Sequence, residues 1–87
     1  MESNAREWLK DEAKARARPV LDEARRAFEA AMVEAAKPSA AANPVRGSAE
    51  DIRLAAEYQA AMKGPAAIYA AAKKAYAATI RAAVKGV

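Results

Sequence analysis

The stretch Pro38–Asp51, PSAAANPVRGSAED, divides the chain in two. Two prolines, Asn43, Gly47 and two serines fall together here, which is the composition of a loop. At its far edge Ser48 is followed by Ala49, Glu50 and Asp51. A serine N-cap with an acid at the third helical position is a close relative of the capping box, so Ser48 predicts a helix start. A stop and a start this close join two long helical patterns and predict a hairpin.

Working back from the loop, residues 4–37 read as one helix. Ser3 is the expected N-cap. Apolar positions recur at Ala5, Leu9, Ala13, Ala17, Val20/Leu21, Ala24, Phe28, Ala31/Met32 and Ala35. Steps of three and four make one stripe. The other side is charged, with Glu12–Arg16, Asp22–Arg26 and Glu34–Lys37 at favourable spacings. Pro19 interrupts the pattern, but no Gly, Asn, Asp or Ser precedes it to cap a break. A kink near residues 15–18 is the expectation.

Working forward, residues 49–63 begin a second helix. It continues or restarts at Gly64-Pro65 and runs over 65–85. Gly64 can close a helix in the left-handed region and Pro65 can open one. Pro19 and Pro65 lie at similar distances from the loop, so the hairpin bends at one level. The loop spans 38–48.

Twenty-eight of the 87 residues are alanine, the strongest helix former. There is no Cys and no His. That removes disulfides and thiolate metal sites, the commonest general base and the commonest transition-metal ligand. No Gly-rich phosphate loop, nucleophile elbow or zinc spacing occurs. The three serines are cap or loop residues. The reading is a non-enzyme with no cofactor, no metal and no catalytic residue. The longest uncharged run is Gly64–Ala72, far short of the roughly 20 residues of a membrane span. The N-terminal segment lacks the apolar core of a signal peptide, so the expectation is a soluble chain in the cytoplasm.

The charge is +4 and uneven. Every acid lies at or before Glu57, whereas the remaining residues carry Lys63, Lys73, Lys74, Arg81 and Lys85. These cations are too sparse for a nucleic-acid groove and read as a solvated stripe suited to a helix C-terminus. Around the stripe the second helix is apolar on most sides, more than one partner helix can cover. A chain this short has a marginal core, and self-association is the stabilising device left open to it. The predicted partner is therefore another copy. The residues expected at that interface are Trp8 and Leu9 on the first helix, then Ile52, Tyr58 and Met62. Ile68, Tyr69, Tyr76, Ile80 and Val84 complete the set. The function predicted is a structural, self-assembling scaffold. The alternative is a binding module in which Tyr58, Tyr69, Tyr76, Trp8 and Gln59 line a small-molecule cleft, or the basic helix meets an acidic partner or a membrane surface.

The Ser48-Ala49-Glu50-Asp51 start, the acid-to-base spacing on the first helix, the heavy use of alanine and the lack of Cys and His resemble computationally designed helical proteins. Pro19 and the long loop depart from that style. The resemblance implies a helical bundle or symmetric oligomer with no natural activity.

Overall fold

The computed structural model describes residues 2–85, with side chains from Asn4 onward. The chain is all-helical: α1 spans Glu2–Ala42, α2 spans Ala49–Ala83, and the two pack as an antiparallel hairpin. Ser3 lies inside α1 rather than at its cap, and its side chain falls outside the described residues.

The loop is shorter than the sequence pattern predicts, because α1 runs through Pro38 to Ala42. A proline ring is compatible with helical φ and removes one backbone hydrogen bond. Ala40–Ala42 then carry the helix on, since alanine favours helix most strongly. The stop comes where two constraints coincide. Asn43 takes a left-handed φ of 43°, a conformation asparagine tolerates, and Pro44 disfavours helical backbone in the residue before it. The Asn43 N–H donates to the Ser39 carbonyl (2.9 Å), closing the last turn.

The turn into α2 follows the sequence closely. Ser48 N–H donates to the Val45 carbonyl at 3.0 Å, with Gly47 at φ +81° between them. The Asp51 N–H donates to Ser48 Oγ at 3.2 Å, and Asp51 Oδ2 accepts from the Gly47 N–H at 2.9 Å. The acid thus reaches one residue beyond the position a capping box would use. Ser48→Ala is expected to cost about 1 kcal/mol, read as a lower urea midpoint with an unchanged slope.

Both helices run unbroken through their internal prolines. Gly64-Pro65 is therefore continuous helix, not a turn between two. Pro19 and Ala15 are both exposed, on the side of α1 away from α2, so the carbonyl that Pro19 leaves without a partner reaches water. Pro19→Ala restores the bond, and an increase in unfolding free energy of roughly 2–3 kcal/mol is expected from chemical denaturation.

The seam is built from α1 residues Ala13, Ala17, Leu21, Ala24, Phe28, Ala31 and Ala35, all buried or half-buried. Facing them on α2 are Leu54, Tyr58, Met62, Pro65, Tyr69, Ala72, Tyr76 and Ala83. The stripe is narrower than the sequence pattern implies. Of the paired positions, Leu21 and Ala31 turn inward, while Val20 and Met32 stay exposed. Phe28 and Tyr69 stack across the seam with centroids 5.1 Å apart, and Lys73 Nζ sits 4.8 Å from the Tyr69 ring centre.

The result is a rod, 62 × 18 × 17 Å, with a radius of gyration of 19.3 Å. A compact chain of this length would have a radius near 12 Å, by the usual scaling about 2.2·N^0.38. Its accessible surface is 6580 Å². A globular monomer of this mass exposes about 4,900 Å². Among the described residues only Ala13, Leu54 and Met62 are buried hydrophobics, and no large side chain is fully enclosed.

Candidate functional site: an exposed apolar face

Two open grooves lie along the seam. One, of about 320 Å³, is lined by Arg16, Ala17, Val20 and Leu21 of α1 and by Ala72, Ala75, Tyr76 and Thr79 of α2. The other, of about 160 Å³, lies between Ala24, Ala27, Phe28 and Ala31 on α1 and Pro65 and Ile68 on α2. Val20 and Ala27 are two helical turns apart on α1, as are Ile68 and Ala75 on α2, so both grooves open on the same broad face of the rod. Val20 (68% exposed) and Ile68 (69% exposed) stand up from it. Around them are alanines, with Gly64 and the exposed Ala61, Ala71, Ala78 and Ala82 continuing the same side of α2. Thr79 does not make this face polar, because its hydroxyl donates to its own helix, to the Ala75 carbonyl at 3.0 Å.

A third hollow, lined by Tyr58, Gln59, Met62, Lys63 and Ala66, opens on the opposite side of α2. Gln59 is exposed there.

The residues expected at a shared interface divide into three sets. Met62 is buried in the hairpin itself, and Leu9, Tyr58, Tyr69, Tyr76, Ile80 and Val84 are half-buried along the seam or its flanks. Ile68 is free on the apolar face. Trp8 (64% exposed) and Ile52 are also free, but not on that face. Ile52 lies about 160° around α2 from Ile68, and Trp8 about 120° around α1 from Val20, at 100° per residue. The three tyrosines and Trp8 therefore do not gather in one cleft. Val20 escaped the sequence reading because it shares a step of the α1 stripe with Leu21. Its β-branched side chain next to Pro19, on the outer half of the stripe, was the available signal.

No protein family, curated protein or solved structure matches this chain.

The rest of the surface is ionic. Asp22 bridges Arg18 (3.3 Å) and Arg25 (3.5 Å), and Arg25 also approaches Glu29 at 4.0 Å. Lys10–Glu7, Lys37–Glu34 and Arg53–Glu57 complete the ion pairs among the described residues. Of the three pairs expected from spacing, only Glu34–Lys37 forms. Asp22 is half-buried and turns toward Arg18 and Arg25 on its own flank, away from Arg26. Arg16 leaves Glu12 and lies along the larger groove. Lys10 and Asp22 are half-buried and the other groups exposed, and each pair contributes on the order of 0.2–1 kcal/mol. Among the described residues, no group of acids could hold a metal ion, and no helix is long and apolar enough to cross a membrane.

Proposed function

We propose that the chain is a structural, self-associating subunit whose helical hairpins cover one another's apolar faces in a symmetric homo-oligomer. The observation that carries this reading is the face bearing Val20 and Ile68. Two large aliphatic side chains stand exposed among alanines and beside two open grooves, on a rod with only three buried hydrophobic residues among those described. Contiguous exposed apolar surface of this kind marks interaction sites. Alanine on both helices lets a neighbouring backbone approach closely, and burying each aliphatic side chain contributes roughly 1.5–3 kcal/mol. The reactive groups of the chain are spread over solvated helix faces, which supports a scaffold with no catalytic role. The same features are those of the designed helical style noted in the sequence.

Concentration dependence of stability tests this. An oligomer's unfolding midpoint rises with protein concentration, because association is part of the folding free energy. The urea midpoint is expected to climb over a hundredfold increase in concentration. A midpoint independent of concentration refutes the reading.

One observation favours a second reading. Tyr76 lines the larger groove together with Leu21 and Val20. A binding module would use this groove for a small apolar ligand, and would remain monomeric while binding an apolar fluorophore saturably.

A further inference from the structure

The exposed face is not electrically uniform along its length. Arg16 lies at its open end, where α1 begins and α2 ends, and has no intrachain ion pair among the described residues. Glu34 lies on the same line of α1, 18 residues or five turns further on, about 27 Å away at 1.5 Å per residue. Its Oε1 holds Lys37 at 2.6 Å, and the pair is well exposed. On α2, Glu57 lies toward the loop end, while Lys85 closes the open end.

We infer, building on the self-association proposed above, that the occupant of this face is a second copy turned head to tail. The two-fold axis crosses the rod near Arg25 and Ala72, so that Arg16 of each copy meets the partner's Glu34. The midpoint of the charges locates this axis, and the α2 row is compatible with it. Arg16 and Glu34 straddle Arg25. Ile68 and Ala75, the bulky and small residues of the α2 row, straddle Ala71 and Ala72. The Phe28–Tyr69 stack sets the heights of the antiparallel helices and places Arg25 level with Ala72. One axis therefore pairs Arg16 with Glu34 and seats Ile68 against an alanine, at the cost of bringing the exposed Glu23 of the two copies near each other beside it.

Around it, Ile68 descends into the 320 Å³ groove of the other copy, beside the partner's Ala75. Val20 descends toward the smaller groove, beside the partner's Ala27 and Ala31. Lys85 comes level with the partner's Glu57. A self-complementary contact of this kind is what a two-fold requires, with residue i on j and j on i.

The same-end arrangement is less favourable for Arg16. It would set Arg16 against the end of the partner's α2, which carries Arg81 and Lys85 and has no acid beyond Glu57. Glu34 and Glu57 hold Lys37 and Arg53 of their own chain, so the unpaired Arg16 is the group that decides the orientation. The area is adequate for a stable pair. A face 62 Å by 18 Å projects on the order of 1,000 Å², against about 800 Å² per partner in a standard interface.

The test combines charge reversal with an orientation measurement. Arg16→Glu and Glu34→Arg, taken singly, are each expected to raise the dimer dissociation constant about tenfold or more at low salt, since two facing pairs turn repulsive. The double variant R16E/E34R is expected to return within about threefold of the parent, and the deficit of the single variants to shrink near 1 M salt. Circular dichroism confirms that each variant is helical. For orientation, Arg46→Cys offers a single spin-label site on the exposed loop of a chain that has no other cysteine. Head-to-tail copies separate the two labels by about the 62 Å length of the rod. Same-end copies bring them within roughly 20–30 Å, a few interaxial spacings.

Single reversals that leave association unchanged or tighten it, a double variant that fails to recover, or labels close together overturn the head-to-tail pair while leaving self-association standing. A parent chain that is monomeric at every concentration overturns both.

Discussion

Ile68→Glu is expected to turn the assembly into a helical monomer. In the isolated hairpin Ile68 is 69% exposed, so a carboxylate there stays in water and α2 keeps its helicity. In the assembly it would be covered by the partner's alanines, with no cation in that groove except Arg16 at its rim. Symmetry doubles the effect. Losing two aliphatic contacts and facing two desolvated carboxylates costs about 4 kcal/mol, or about a thousandfold in the dissociation constant. Ile52→Glu is the matched control. Ile52 is 66% exposed on the same helix but faces a different side. Its mass in solution is expected to stay that of the parent. A shift to monomer with Ile52→Glu, or none with Ile68→Glu, would place the interface elsewhere.

The second large effect lies inside the hairpin. Leu54→Ala is expected to cost about 2–3 kcal/mol and to lower the melting temperature by roughly 10–20 °C. Leu54 is one of three buried hydrophobic residues among those described and closes the loop end of the seam. Few other contacts there can compensate, so the loss is a large fraction of the total stability of a chain this small. Ile52→Ala, two residues away and exposed, is expected to stay within about 0.5 kcal/mol of the parent. Thermal unfolding followed by circular dichroism at fixed concentration compares the two. Equal effects would mean that the seam does not run where Leu54 and Met62 place it.

Much of the hairpin was legible because its signals are local. Ser48 caps α2 through the Asp51 N–H as the sequence around them implies, and the stripe through Ala13, Ala17, Leu21 and Phe28 turns to α2. The end of α1 was less legible. Pro38 reads as a terminator by composition, yet one lost hydrogen bond is outweighed by three following alanines, and the true stop is the Asn43-Pro44 step. Ion pairing was partly legible, since an acid such as Asp22 has cations at several permitted spacings, Arg18, Arg25 and Arg26. Which one it meets depends on the direction its side chain leans at the seam, and for Asp22 that is toward Arg18 and Arg25.

The exposed face was legible as an excess of apolar surface on α2, but its position was not. Finding it requires knowing which side of each helix the hairpin consumes. Tyr69 and Tyr76 are on the consumed side, and Ile68, one residue from Tyr69, is not. One residue is 100° of rotation, more than a stripe-level reading resolves. Val20 and Leu21 divide in the same way on α1.

The most direct measurement is the absolute mass of the parent chain by light scattering on a sizing column, across a hundredfold range of concentration. The proposed assembly gives a mass of twice 9.2 kDa that persists on dilution until the dissociation constant is reached. A helical species of 9.2 kDa at every concentration would contradict it and leave the face bearing Val20 and Ile68 without a second copy to cover it.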